Sequence, residues 1–260
     1  MSSRQQQKER ARAEREERER SLARAAQRRR QLLQLGGVLG AAVIVVAVLV
    51  LASQGSKDKP NASGGAAVAG VSESRAMLRG VSQHGTSLGD PSARVVLTEF
   101  ADLQCPFCRD YALNVLPQII QRYVRTNKLR LELRLQSFIG PDSNVAARAA
   151  NTAASRDRLW NFVDLFYRNQ GVENTGYVAE SFLTRLAIAA GLPPTLILDG
   201  STAAARDKPT RVAEAEAKAA GLTSTPSFLI GSKAGQGNIV RVARLDVSAF
   251  SAAIDRQLKR

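Results

Sequence analysis

The chemistry in this chain is concentrated in Cys105-Pro106-Phe107-Cys108, a stretch that holds both of its cysteines. Thiols at this spacing lie one helical turn apart, so one sulfur can attack a mixed disulfide formed on the other. Residues 94–100, RVVLTEF, are rich in β-formers and follow the turn signal Gly89-Asp90-Pro91. They read as a buried strand ending just before the pair. Pro106 suits the first turn of a helix, where its missing N–H costs nothing. A sulfur at the opening of that helix faces unpaired N–H groups and the positive end of the dipole, which favour a thiolate. The arrangement predicts that Cys105 is exposed, acidic and nucleophilic. Cys108, one turn further in, completes a reversible dithiol/disulfide pair.

Other uses of two close cysteines are open to the same residues. A tetrahedral zinc site wants about four ligands, yet there is no second Cys-x-x-Cys and His84 is the single histidine. No metal is therefore expected. A purely structural disulfide remains as an alternative, although so short a loop constrains little of the unfolded chain.

The elements that must position the pair follow from periodicity. A helical stretch is predicted from Pro106 to about Val124, kinked or broken at Pro117. Residues 129–138, LRLELRLQSF, alternate with period two, as in a strand with one solvated face or at a sheet edge. From Ser143 to about Gly221 the pattern is helical, with Gly171 and Gly191 as stops. Leu159, Phe162, Val163 and Phe166 share one face there, and Trp160 reads as packing rather than a ligand box. Short strands at residues 227–230 and 239–242 and a helix near residues 247–258 close the chain. The order predicts an α/β domain with a small mixed sheet and one large helical insertion.

The N-terminal quarter is of a different kind. The net charge is +14, and residues 1–34 carry 11 Lys/Arg against 5 Glu. Glu/Arg pairs four apart, such as Glu14/Arg18, suit a solvated charged helix better than a nucleic-acid arm. Residues 35–52, LGGVLGAAVIVVAVLVLA, are uncharged over 18 positions. As a helix they span roughly 27 Å, close to a hydrocarbon core. With the Arg-rich flank kept cytoplasmic, they read as a transmembrane helix that puts the remainder outside the cytoplasm. A cleaved signal peptide is the competing reading, and it exports the same domain. Residues 53–71 are small and polar and predict a flexible linker. The folded domain is expected over 72–260.

Three stretches, LGDPSARVVLTEFADLQCPFC, RLWNFVDLFYRNQ and GLTSTPSF, resemble the thioredoxin superfamily, and specifically its DsbA-like thiol–disulfide oxidoreductases. The resemblance covers about residues 78–260. It implies a thioredoxin-like fold with a helical insertion near 143–221, and an active-site dithiol at Cys105 and Cys108 with Pro106 and Phe107 between them. It implies a cis-proline loop at Thr225-Pro226 that faces the dithiol and helps receive substrate backbone. Glu99 falls where the family has a buried acid below the second cysteine, able to take or give the Cys108 proton. Asp102 is a weaker candidate for that task. The chain departs from the best-known strong oxidants, which carry histidine where Phe107 stands. Ser224 also replaces a frequent glycine.

The resemblance therefore implies a membrane-tethered enzyme that oxidises dithiols of exported proteins without a metal or organic cofactor. A quinone-linked membrane protein of the DsbB or VKOR-like type would reoxidise it. A reductase or isomerase of exported disulfides, and a tethered binding module with a structural Cys-x-x-Cys, are the alternatives.

Overall fold

The computed structural model describes residues 67–199, 203–242 and 244–260. In chain order its elements are α1 (Val71–Leu78), β1 (Gln83–His84), β2 (Ser87–Leu88), β3 (Val95–Ala101), α2 (Pro106–Asp110), α3 (Leu116–Ile119) and β4 (Leu129–Leu135). The insertion follows as α4 (Pro141–Ala154), α5 (Leu159–Arg168), α6 (Glu180–Ala189), α7 (Pro194–Leu198) and α8 (Ala203–Ala219). β5 (Ser227–Gly231), β6 (Asn238–Ile239) and α9 (Val247–Leu258) complete the domain.

The strands form one sheet in the order β1-β2-β4-β3-β5-β6. β3 and β4 run parallel, and the other pairings are antiparallel. β3 lies inside the sheet with every residue buried, as its continuous apolar run requires. Its alternate side chains serve two faces. Val95, Leu97 and Ala101 enter the main core, where Tyr111, Phe228 and Phe250 meet with ring centroids 4.6 to 5.1 Å apart. Phe100 enters a smaller cluster with Ala217 and Leu229. The active-site loop leaves the C-terminal end of this strand.

β4 corrects the expectation of an edge strand or a solvated face. Leu129, Leu131, Leu133 and Leu135 belong to the main core, while the polar side chains lie against α8. There Arg134 Nε donates to Glu216 at 2.8 Å, and the buried Glu132 accepts from Ser87 and Thr86 as well as from Arg134. Alternation thus marks two buried faces of unlike polarity.

Pro117 does not break its helix. The helical path runs from α2 through a π-turn, Tyr111–Val115, into α3, and then through a second π-turn, Ile120–Val124. Pro117 offers no N–H to the preceding turn, and the Leu116 N–H reaches back five residues to the Tyr111 carbonyl. The chain absorbs the proline by widening.

Within the insertion Gly191, at φ 79°, ends α6 as expected. The N–H of Leu192 donates to Ala187 O and that of Gly191 to Ile188 O, the paired bonds of a Schellman cap. Gly171 is not a helix stop, because α5 already ends at Arg168. It is required by close approach, since a Cβ there would lie 2.7 Å from the Tyr177 ring. Trp160 is packing, 3% exposed.

The domain begins slightly earlier than residue 72. Val68 and Val71 pack against the core, and Asn169 exchanges hydrogen bonds with both the N–H and the carbonyl of Ala69. The last residues assigned to the linker are therefore part of the fold. The charged segment, the apolar run 35–52 and the linker up to residue 66 lie outside the described residues. Among the described residues no helix is long and apolar enough to cross a membrane.

Candidate active site

Between the end of β3 and the start of α2 the chain turns, and the Cys105 N–H donates to the Asp102 carbonyl at 3.0 Å. Cys105 caps α2 in extended conformation, and Pro106 follows in the first turn. Asp102, buried completely, anchors this turn. Its Oδ1 accepts from the Gln104 N–H at 2.9 Å and Ser143 Oγ at 2.7 Å, and its Oδ2 accepts from the N–H groups of Phe138 and Ile139, both at 3.1 Å. Four donors occupy a carboxylate that was a candidate for proton exchange. Asp102 is a structural acceptor holding three segments together.

The two thiols are unbonded and differ sharply in environment. Cys105 is held down to about 6, first by the hydrogen bond from the Cys108 thiol. Burial opposes this, while the Thr225 hydroxyl and the N–H groups of Cys108 and Phe107 add to it. Those N–H groups are the unpaired donors of a helix start. Cys108 is driven well above the ordinary thiol range, first by burial, then by its hydrogen bond to Cys105 and the negative charges of Cys105 and Glu99. The predicted asymmetry is present. The predicted exposure is not: Cys105 is 4% exposed. The Thr225 carbonyl lies 3.4 Å from its sulfur, brought in by a segment distant in sequence, which the local pattern around Cys105 does not encode. The open rim is formed by Pro106 and by Phe107, which is 63% exposed.

Thr225-Pro226 is a cis peptide bond at the entry to β5. The Thr225 hydroxyl is buried without a hydrogen-bond partner. Glu99 sits on β3 opposite Leu133 of β4 and Phe228 of β5, buried, with Oε1 unpartnered. Burial, and next the charge of Cys105, raise its carboxyl to about 8. Near neutral pH this site pairs a thiolate at Cys105 with a protonated acid at Glu99. It can attack or leave as sulfur at one atom and hold a proton at another. Among the described residues no three His, Cys, Asp or Glu side chains group as a metal site.

Several site residues escape sequence reasoning. Tyr111 and Tyr167 are fully buried, and both are pushed upward by burial and then by negative groups of the site. Gln104, Gln170 and Asn174 tie the insertion to the cysteine loop. Gln170 lies within the aromatic stretch RLWNFVDLFYRNQ, but a lone glutamine past a helix end has no periodicity to mark it.

The sequence model of the family described as Thioredoxin matches residues 82–256. A Bacillus cereus protein named "Probable disulfide bond formation protein D" is 34% identical over 99 residues, or 37% of this chain and 46% of that protein. The chain thus aligns with about half the length of that relative. The crystal structure of oxidised BdbD from Bacillus subtilis superposes with a TM-score of 0.59 at 19% identity, over 69% of this chain and 98% of that one. A thioredoxin-like oxidoreductase from Silicibacter pomeroyi gives 0.52 at 25% identity, over 67% and 92%. The architecture is a thioredoxin-like α/β fold with a helical insertion.

Proposed function

We propose, on the premise that the chain belongs to the thioredoxin family, that it is a membrane-tethered thiol–disulfide oxidoreductase that oxidises dithiols of exported proteins. One observation carries the reading: an acidified Cys105 at a helix start, beside a buried Cys108 of high pKa and against the Thr225 carbonyl. Stabilising the Cys105 thiolate stabilises the reduced protein, and that makes its disulfide an oxidant. The name of the Bacillus cereus relative points to the same chemistry.

In the working direction the enzyme starts as a Cys105–Cys108 disulfide. A substrate thiolate attacks the Cys105 sulfur, the Cys105–Cys108 bond breaks, and Cys108 leaves with the electron pair. Glu99, protonated near pH 7, supplies the proton that Cys108 needs in its buried position. A second substrate thiolate then attacks the substrate sulfur of the mixed disulfide. Cys105 leaves as its stabilised thiolate, and two electrons have passed from substrate to enzyme. The Thr225-Pro226 loop and the exposed Phe107 border the place where the substrate chain must lie. Reoxidation needs a two-electron acceptor, for which a quinone-linked membrane protein of the DsbB or VKOR-like type is the proposed partner. Tethering rests on the apolar run 35–52 and its Arg-rich flank, which place the domain where disulfides persist.

A second reading, reduction or isomerisation of exported disulfides, is favoured by Phe107, which adds neither charge nor hydrogen bond beside the thiolate. Equilibration of the full-length chain with glutathione separates the two directions. An oxidase is expected well above the roughly −270 mV of a reducing thioredoxin, and a value at or below that level overturns the proposal. In cells, Cys108→Ala should accumulate mixed disulfides with exported proteins, whereas Cys105→Ala should form none.

A further inference from the structure

The end of α5 and the loop after it grip the cysteine loop by its backbone carbonyls. Tyr167 Oη donates to Asp102 O at 3.3 Å, and Arg109 Nε returns a bond to Tyr167 O at 3.0 Å. Gln170 Nε2 donates to Leu103 O at 2.7 Å and to Cys105 O at 3.2 Å. A second tie stands beside the first. Gln104 Oε1 accepts from the Asn174 N–H at 2.7 Å, and its Nε2 donates to Asn174 Oδ1 at 3.1 Å and Ser143 Oγ at 2.9 Å. Gly171 lets the chain turn directly after Gln170, because any Cβ would strike the Tyr177 ring.

The Cys105 carbonyl has a particular place in this set. It accepts the first helical bond of α2, from the Arg109 N–H at 3.1 Å, so its direction fixes how the Cys105 peptide meets the helix. We infer that Gln170 is a positioning residue: its amide, delivered by the helical insertion, fixes the Cys105 peptide and thereby holds the sulfur over the first N–H groups of α2. The donor end of the amide also places positive partial charge near the thiolate. Both effects act in one direction, towards the ionised sulfur and the dithiol form. The insertion is then a redox-tuning part of the site as well as a packing layer. The assignment rests on Cys105 being the reactive thiol of the proposed oxidoreductase.

The test uses the full-length chain with Gln170→Met, Gln170→Glu and Gln104→Met. Cys105 ionisation is read by thiolate absorbance against pH, the dithiol/disulfide balance against glutathione, and folding by thermal unfolding. Gln170→Met keeps the length and removes both donors. It should raise the Cys105 titration by about half a unit to one unit and weaken the oxidising equilibrium by roughly three- to tenfold. Gln170→Glu should do more, since its carboxylate faces two carbonyls and a thiolate. Gln104→Met loosens the same loop without touching either carbonyl, and should shift the titration less. An unchanged titration and equilibrium in Gln170→Met, beside an acidic Cys105 in the parent chain, overturns the Gln170 assignment alone. So does an equal shift from Gln104→Met, which would mean general loosening. Should Gln170→Met fail to fold, Gln170→Asn withdraws the amide by one methylene and decides on the same readouts. An ordinary thiol titration for Cys105 in the parent chain sinks both this assignment and the function it rests on.

Discussion

The sulfur of Cys105 lies 3.4 Å from the carbonyl oxygen of Thr225, a residue 120 positions further along the chain. Thr225 offers this sulfur two opposed groups. Its carbonyl accepts from the S–H and so favours the thiol. Its hydroxyl, buried without another partner, donates to the thiolate and lowers the Cys105 pKa. Ionisation of Cys105 therefore exchanges one Thr225 contact for the other, and nothing else need move.

Replacing the hydroxyl by a methyl group isolates the second contact. Thr225→Val keeps the carbonyl and nearly the same volume. A hydrogen bond to a charged group contributes about 1.5–3 kcal/mol, and one pKa unit is about 1.4 kcal/mol. Burial and competing donors reduce this, so Cys105 should titrate about one unit higher in Thr225→Val. Absorbance of the thiolate against pH measures the shift. A titration unmoved from that of the parent chain would show that the hydroxyl does not serve the thiolate.

Glu99 and Cys105 have pKa shifts whose effects on stability oppose one another. Burial raises Glu99 to about 8 from the ordinary 4.5, so the stability linked to its proton is complete below pH 4.5 and is lost as pH rises to 8. Cys105 is lowered to about 6 from 9.0, so its contribution is complete above pH 9 and is lost as pH falls through 6. Between pH 6 and 8 the two slopes oppose each other, and the reduced chain should show a shallow profile. Glu99→Gln should become more stable with rising pH across 6 to 9. Cys105→Ser should become less stable from about pH 5 to 8. Thermal unfolding of the reduced proteins at a series of pH values gives the three curves, and parallel curves would contradict this account.

What the sequence showed, and what it hid, divides by the range of the interaction. Cys105, Pro106 and Cys108 were legible because strand, turn and helix start are local signals, each encoded within a few residues. The continuous apolar run at 95–101 marked the inner strand for the same reason. Exposure of Cys105 was misread because its cover arrives with Thr225, from the far side of the sheet order. β4 was misread because alternation reports unlike faces and says nothing of whether α8 lies over the polar one. β1 and β2, at two residues each, are shorter than any period. Asp102 looked like a proton carrier while its four donors, two of them backbone N–H groups near residue 138, were unseen. The ties of Gln104 and Gln170 are likewise long-range and polar, with no pattern to betray them.

Topology makes a separate expectation. The uncharged run at 35–52 behind an Arg-rich flank should leave the chain membrane-bound with its C-terminus outside the cytoplasm. A reporter that works only outside the cytoplasm, joined after Arg260, should be active and sediment with membranes. A soluble active product beginning near Ser53 would establish a cleaved signal peptide instead.

The last expectation concerns Phe107 and the direction of electron flow. An oxidant needs a strongly stabilised reduced form, and the Cys105 thiolate is the main place for that stabilisation. The Cys108 thiol, the Thr225 hydroxyl and the helix N–H groups already supply part of it. Phe107, 63% exposed beside the sulfur, supplies no donor and no charge. Phe107→His places a solvated imidazole at that rim, a hydrogen-bond donor when neutral and a cation below its usual pKa of about 6.5. Each form favours the thiolate, so Cys105 should titrate below 6 and the protein should become more oxidising. A tenfold shift of the glutathione equilibrium towards the dithiol corresponds to about 30 mV for this two-electron couple. Ionisation and equilibrium are measured independently. A lower Cys105 pKa with an unchanged or lower potential would mean that thiolate stabilisation does not set the redox poise of this protein. The oxidase reading would then stand on the membrane-directed N-terminus and on family membership, without support from the electrostatics of the site.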